Sequence, residues 1–292
     1  MSSKTMTYAY TGRSSDGLEK LGRWLDSCDS IVIGAGAGLS TSAGMTYDGP
    51  RFEDNFGDFI AKYGYGDLYR ASFQRYESLE EHWAFWSRMI MLNRYEQEDN
   101  GTYSALLDLV RDRDYFVITT NVDHCFQKFG FDKERLYYTQ GDYGLWQCPK
   151  PCHPSTYDNE GAVRRMVEEQ RDMRIPTELI PRCPICRRPM TMNLRVDDTF
   201  VQDFGWYEAA KRYNDFLDSH TGSRTLYLEL GVGYNTPGII KYPFWNMTIR
   251  NPRARYACVN LGEPYFPEQL AGQAVGIDMD IGDALRTLCG RS

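Results

Sequence analysis

Between Ile31 and Phe52 the chain reads IVIGAGAGLSTSAGMTYDGPRF, residue types suited to holding a phosphorylated ligand. Ile31-Val32-Ile33 is a branched apolar run of the length of a buried strand. It breaks into Gly34, Gly36 and Gly38 and then into Ser40, Thr41 and Ser42. Glycines in such a turn let the backbone approach a ligand closely, and the helix start that follows presents N–H groups and a partial positive charge to a phosphate. The natural guest is a dinucleotide. Gly34 and Gly36 fit G-x-G-x-x-G, but Leu39 stands where the third glycine belongs, so a tight structural turn is an equal reading of the loop taken alone.

Two further groups of residues could do chemistry. Thr120-Asn121-Val122-Asp123 follows the apolar run Tyr115–Thr119, and polar residues at the carboxyl end of a parallel strand are where an open α/β sheet places its ligand crevice. Asn and Asp also favour ordinary turns. Cys148-x3-Cys152 and Cys183-x2-Cys186 are two paired-cysteine knuckles thirty residues apart, in a proline-rich setting. Four thiolates suit a closed tetrahedral zinc site, structural because no coordination position is left for substrate. His153 could replace one ligand but is not needed. His124, beside Asp123, could act as a base or pack next to the motif, while His82 and His220 have no motif around them. Cys125, Cys258 and Cys289 read as buried small hydrophobes.

The elements that must position these groups are legible as patterns. Helical spacing marks Asp16–Cys28, the aromatic stripe of Leu79–Tyr95, which reads as core, and Gly101–Val110. Residues 45–69 are rich in aromatic, glycine and acidic residues and suggest a loop with short helices beside the ligand. Gly161–Arg174 mixes charges at helical spacing and reads as a solvated helix. Further strands are expected at Thr225–Leu230, Tyr256–Val259 and Ala274–Ile277, each ending in a small or polar cluster. Apolar strands alternating with helices predict a Rossmann-like, doubly wound parallel sheet, with a small zinc-binding module inserted in it. The expected division is residues 1–142 and 200–292 for the main domain, with a helical cofactor-loop region at about 45–100, and 143–199 for the module.

A chain of 292 residues with 42% hydrophobic content can bury a substantial core. Its net charge of −7 argues against a broad nucleic-acid or anionic-membrane surface. No apolar run reaches the roughly 20 residues needed to span a bilayer, and no signal-peptide pattern opens the chain. The expected location is the cytoplasm, where close cysteine pairs read as metal ligands before disulfides.

Taken together, Gly36-Ala-Gly-Leu-Ser40 with Ser42-Ala-Gly44, Thr119-Thr-Asn-Val-Asp123, the four cysteines, Gly231-Val-Gly233, Val259-Asn260 and Asp280-Ile-Gly-Asp-Ala284 follow one another in the order and approximate spacing of the sirtuin family's motifs. The chain resembles that family from about Ile31 to Leu288. The resemblance implies that NAD is bound, with Ala35, Gly36, Gly38, Leu39 and Ser40 cradling its pyrophosphate and Arg51 and Phe52 in the cofactor-binding loop. It further implies that Asn121 and Asp123 line the nicotinamide and ribose pocket. Gly231, Gly233 and Asn235 would approach the phosphates and adenosine, Asn260 the adenosine ribose, and Asp283 and Ala284 the adenine.

The departures narrow the chemistry. Where sirtuin deacylases carry His-Gly, nineteen residues beyond the motif asparagine, this chain has Gln140-Gly141. An imidazole can take a proton near neutrality and an amide cannot. The peptide-docking segment ending in Phe-Gly-Glu reads here Met190-Thr-Met-Asn-Leu-Arg-Val-Asp-Asp-Thr-Phe200, and Pro-Asp-Phe-Arg has become Tyr47-Asp-Gly-Pro-Arg-Phe52. Cleavage of the nicotinamide–ribose bond needs no such base, and Asn121, Asp123 and Gln140 could support it. This pattern resembles the class M, macrodomain-linked sirtuins. The resemblance implies a protein ADP-ribosyltransferase, one structural zinc, an acceptor that is a lipoylated carrier protein similar to glycine cleavage H protein, and a link to a macrodomain hydrolase. Arg195, Asp197 and Asp198 are candidate partner contacts or a plain surface turn. Two other readings stay open: an NAD-dependent deacylase or delipoylase, and a non-catalytic module sensing NAD or ADP-ribose.

Overall fold

A computed structural model describes residues 7–9, 12–234 and 237–290. The chain begins with a two-residue strand β1 (Tyr8–Ala9), helix α1 (Ser14–Ser27) and strand β2 (Ser30–Ala35), followed by helices α2 (Ala37–Ser42), α3 (Pro50–Tyr63), α4 (Leu68–Ser72) and α5 (Leu79–Ile90). Helix α5 runs on into a π-helical turn, Met91–Tyr95, before α6 (Thr102–Val110), β3 (Tyr115–Thr119), the single turn α7 (Cys125–Lys128) and β4 (Leu136–Tyr138). Next come β5 (Gly141–Gln147), β6 (Tyr157–Asp158), α8 (Glu160–Glu169) and β7 (Thr191–Leu194). The chain closes with α9 (Phe204–Ser219), β8 (Thr225–Leu230), α10 (Lys241–Arg250), β9 (Arg255–Val259), β10 (Phe266–Pro267), β11 (Ala274–Ile277) and α11 (Ile281–Leu288).

Six strands form one parallel sheet in the order β11-β9-β8-β2-β3-β4. The chain steps outward from β2 to β3 and β4, then returns to place β8 on the other side of β2, so the strand order reverses between β2 and β8. Ala35 is level with Leu230 on one side and Thr119 on the other, which brings three strand ends to the same height. Alternation along β2 sorts its side chains between the faces. Ile31 and Ile33 pack with Leu21, Leu25, Tyr103, Leu106 and Leu285 from α1, α6 and α11. Val32 packs with Phe116, Tyr213, Phe244 and Trp245 on the α9 and α10 side. Among the described residues, no helix is long and apolar enough to cross a membrane.

A third core joins the helical region to the cysteine segment. Phe52, Phe56 and Phe59 of α3 and Trp83, Phe85 and Met89 of α5 pack with Trp146, Cys148, Val163, Met166 and Met192. Helix α5 starts cleanly because Ser78 accepts the Glu81 N–H at 3.2 Å, with Glu80 and Glu81 in the first turn. The sheet carrying the cysteine segment, β6-β5-β7, and the edge strand β4 were not expected from sequence; each has only two to seven residues and little periodicity to read. The expected solvated helix from Gly161 is shorter, ending at Glu169. Asp172 and Met173 take positive φ, and Arg171 pairs with Arg174 across that turn. Its apolar face is also covered, through Val163 and Met166.

The four knuckle cysteines converge, with all four sulfurs within 4.8 Å of one another. Cys148 and Cys186 lie 3.6 Å apart, and Cys152 and Cys183 3.7 Å apart. Thiolates around a tetrahedral zinc at ~2.3 Å stand ~3.8 Å from each other, so this donor set fits a structural zinc. His153 is engaged alongside, with Nδ1 3.1 Å from Cys152 Sγ and Nε2 2.7 Å from the Tyr157 hydroxyl, and the ligand set is complete without it.

Two predictions follow from this packing. A Cβ added at Gly231, where φ is +64, would lie 2.5 Å from Gly38 Cα, whereas one at Gly233 would meet nothing within 4 Å. In denaturant unfolding, Gly231→Ala is expected to cost about 2 kcal/mol or more and Gly233→Ala about 0.5 kcal/mol or less. Metal analysis of the purified protein should return about one zinc per chain, reduced to background in Cys183→Ser with a lower Tm.

Candidate functional site

The three level strand ends build the site. After β2 the backbone turns at Gly36, whose N–H reaches the Leu230 carbonyl at 3.0 Å, and the Gly38 N–H reaches the Gly231 carbonyl at the same distance. The closest approach these glycines permit is to each other's loops: a Cβ at Gly36 would lie 2.6 Å from the Gly231 oxygen. Beyond β3, Thr119 Oγ1 donates to the Ala35 carbonyl and accepts the Asn121 N–H, both at 3.0 Å, which sets the turn carrying Asn121 and Asp123.

Those two side chains meet the glycine loop directly. Asn121 Nδ2 donates to the Gly36 carbonyl and to Ser40 Oγ, each at 3.0 Å. Ser40 Oγ in turn donates to Asp123 Oδ2 at 2.5 Å, and it lies 3.0 Å from the buried Tyr103 hydroxyl. Asp123 Oδ1 accepts the Cys125 N–H at 3.1 Å. Burial pushes the Asp123 carboxyl above its usual range, and the Ser40 and Cys125 hydrogen bonds only partly offset this.

Ser40, Asn121 and Asp123 line a cavity of about 710 Å³, together with Ala37 and Thr41 of the same loop. Thr120, Val122 and the candidate partner contact Asp197 also line it, and Tyr47, His82, Trp86, Asn93, Tyr143, Gln147 and Met192 are wall residues that the sequence did not single out as site residues. Tyr47 and Tyr143 hydrogen-bond hydroxyl to hydroxyl at 2.8 Å, joining the loop before α3 to β5. His82 lies against Trp83 and Trp86, and burial pulls its imidazole down to about 4, so it is neutral at pH 7. The signal for this wall was present in the helical spacing of His82, Trp86 and Asn93, but the aromatic stripe around them reads as core, which Trp83, Phe85 and Met89 are.

The other expected residues are distributed around this centre. Gln140 sits at the turn before β5, its carbonyl accepting the Arg195 N–H at 2.9 Å, and it is not among the residues lining the cavity. Gly141 beside it has φ +98, and a Cβ there would be 1.8 Å from the Asn193 oxygen. Arg51 ties its own loop to the π-helical turn, donating to the Thr46 carbonyl, Asn93 Oδ1 and the Leu92 carbonyl at 2.8–2.9 Å, while Phe52 is buried in the third core. Ala35 and Leu39 are buried under the sheet's carboxyl edge. Gly233 is exposed, and Asn235 lies outside the described residues. The Asn260 N–H pairs with the Ile277 carbonyl at 3.1 Å. Asp283 is exposed and paired with Arg286, whereas Ala284 is buried in the first core. Ser42 ties this last segment to α2, donating to Asp280 Oδ1 at 3.0 Å and accepting the Gly282 N–H at 2.8 Å.

No family model matches the chain. Among curated proteins it is 42% identical over 264 residues to a protein ADP-ribosyltransferase of Staphylococcus aureus (strain Mu50 / ATCC 700699), covering 90% of this chain and 84% of that protein. It is 30% identical over 281 residues to a probable bifunctional ADP-ribose hydrolase/ADP-ribosyltransferase of Fusarium oxysporum f. sp. cubense, covering 91% of this chain and 46% of that longer protein. Among solved structures, Sir2 with a p53 peptide and NAD+ matches with a TM-score of 0.55 at 17% identity, covering 94% of this chain and 97% of that one. A Sir2 homologue in complex with NAD matches with a TM-score of 0.58 at 16% identity, covering 92% and 91%. With the sirtuin fold and this degree of identity to the staphylococcal protein, the chain belongs to the family of sirtuin-type protein ADP-ribosyltransferases.

Proposed function

We propose that this protein transfers ADP-ribose from NAD to a protein acceptor with release of nicotinamide. The observation that carries the reading is the Asn121–Ser40–Asp123 cluster, closed onto the glycine loop inside the cavity, with an amide at Gln140 where a deacylase needs a base. NAD supplies the nicotinamide–ribose bond that is broken. The residues that would hold it are Ala35, Gly36, Gly38, Leu39 and Ser40 at the pyrophosphate, Asn121 and Asp123 at nicotinamide and its ribose, and Arg51 with Phe52 keeping the covering loop in place. Gly231, Gly233, Asn235, Asn260, Asp283 and Ala284 would serve the adenosine half. The cradle suits a phosphate chain because its backbones already meet at van der Waals distance, so the loop is rigid before a ligand arrives.

Asn121 is the fixed hydrogen-bonding group, and Asp123 places negative charge where positive charge grows at the anomeric carbon. Gln140 can hold a hydroxyl but cannot take its proton, which disfavours deacylation and leaves transfer to a side-chain nucleophile unaffected. For the acceptor we propose a lipoylated carrier protein similar to glycine cleavage H protein, with exposed Arg195, Asp197 and Asp198 as its contacts. A partnership with a macrodomain-type hydrolase accords with the Fusarium relative, whose name joins hydrolase and transferase in one chain. For location we propose the reducing cytoplasm, where the close cysteine pairs stay available as metal ligands.

Incubation with NAD labelled in its adenosine half should leave label covalently on the lipoylated carrier and little on the unlipoylated one. Binding without nicotinamide release would instead indicate a sensing module. Deacylated peptide together with O-acyl-ADP-ribose would indicate a deacylase. Asn121→Ala should lower the rate by about a hundredfold or more, and full activity in that variant would overturn the site assignment.

A further inference from the structure

Of the four histidines, only His124 adjoins the Asn121–Asp123 cluster. Its backbone is left-handed, with φ +65, a conformation that L residues other than Asn, Asp and His rarely enter. Its side chain is tied down at Nδ1–H, which donates to Asp142 Oδ2 at 2.5 Å, while its carbonyl accepts the Lys128 N–H at 3.1 Å. Asp142 is buried, and its other oxygen accepts both Arg94 Nε and the Gly144 N–H at 2.7 Å. Burial raises the Asp142 carboxyl, but His124 and Arg94 more than offset it and hold the group below the usual carboxylate range, so it stays ionised.

Asp142 stands two residues beyond Gln140, and His124 one residue beyond Asp123. Their hydrogen bond therefore spans the two turns to which the transfer chemistry is assigned. A backbone bond runs parallel to it, from the Tyr143 N–H to the Val122 carbonyl at 2.8 Å. Arg94 belongs to the π-helical turn, whose previous residue, Asn93, accepts from Arg51 of the cofactor loop at 2.9 Å. One extra residue in that turn thus points Asn93 and Arg94 at two different loops, a use to which π-bulges at functional sites are often put.

We propose that His124 and Asp142 are positioning residues for ADP-ribose transfer: the pair clamps the Asn121–Asp123 turn to the Gln140 turn, and the π-helical turn anchors the clamp through Arg94. The histidine works as a tether and not as a substitute base. This inference rests on the transfer reading above and adds the device that keeps two amide-bearing turns in register.

The test uses His124→Gly, which accepts the positive φ without strain but removes the tether, and His124→Asn, which keeps a short donor and tolerates the same backbone. His124→Gly should lower kcat for nicotinamide release by about a hundredfold while KM for NAD shifts by about threefold or less and Tm is kept. His124→Asn should retain activity within about fivefold of native, as a tether requires and a base does not. Unchanged kcat in His124→Gly overturns the clamp, and so does a folded but inactive His124→Asn, which would make the imidazole itself the working group. Hydrogen exchange supplies a readout independent of activity: in His124→Gly, residues 120–124 and 140–144 should lose protection together. If the native protein releases no nicotinamide, the transfer reading falls, while coupled loss of protection still supports the clamp and unchanged exchange at 140–144 overturns it.

Discussion

The architecture depends on a contact in which no side chain takes part. At the carboxyl edge of the sheet the loop leaving β2 and the loop leaving β8 touch backbone to backbone, with the Gly38 N–H on the Gly231 carbonyl at 3.0 Å and no room for a Cβ on either side. This is the point at which the strand order reverses, so the contact closes the floor of the crevice that a doubly wound sheet opens there. Asn121 can reach the Gly36 carbonyl and Ser40 only because that floor is flat and β3 ends level with β2.

Above the floor, the site is held by short polar links between loops that are far apart in sequence. Arg51 fixes the covering loop to the π-helical turn, Arg94 fixes that turn to Asp142, and the Tyr47–Tyr143 hydroxyl pair closes the opposite side. The links join segments that meet at the aromatic core shared by α3, α5 and the cysteine segment. The four-cysteine cluster sits at the edge of that third core, with Cys148 and Cys183 buried in it and Cys152 exposed, so a structural zinc there would stiffen one wall of the cavity without touching the chemistry. The division of labour is clear. The Asn121 amide and the Asp123 carboxylate face the ligand space, while the Arg51 and Arg94 guanidinium groups and the His124 imidazole hold the frame.

Replacing imidazole by amide at Gln140 separates two reactions that share a first step. Breaking the nicotinamide–ribose bond needs orientation and charge complementarity, and a rigid cluster of Asn121, Ser40 and Asp123 can offer both. Resolving an acyl intermediate needs a group that changes protonation near neutrality. The buried His82, kept neutral, lies in an aromatic wall, and His124 is committed to Asp142. The two histidines nearest the cavity are thus occupied in other ways.

Much of this was legible from sequence, and the reason is local. Five sheet strands declared themselves as branched apolar runs because a parallel sheet covered on both faces requires them, and the cysteine knuckles because tetrahedral thiolate ligation needs close pairs. The glycine turn and the Asn121–Asp123 segment were placed correctly at strand ends for the same reason. The cavity wall was not legible: His82, Trp86, Asn93 and Tyr143 look like core or linker residues until the packing of α5 against β5 turns one helical face inward. Nor could spacing show that the glycines are needed first for Gly36 and Gly38 to meet Gly231, or that His124 is a tether. By itself the sequence determined which segments become strands, which end in polar turns and which cysteines pair. Only the tertiary structure decided which of those turns touch, because that depends on crossover connections and strand register, quantities that no local pattern carries.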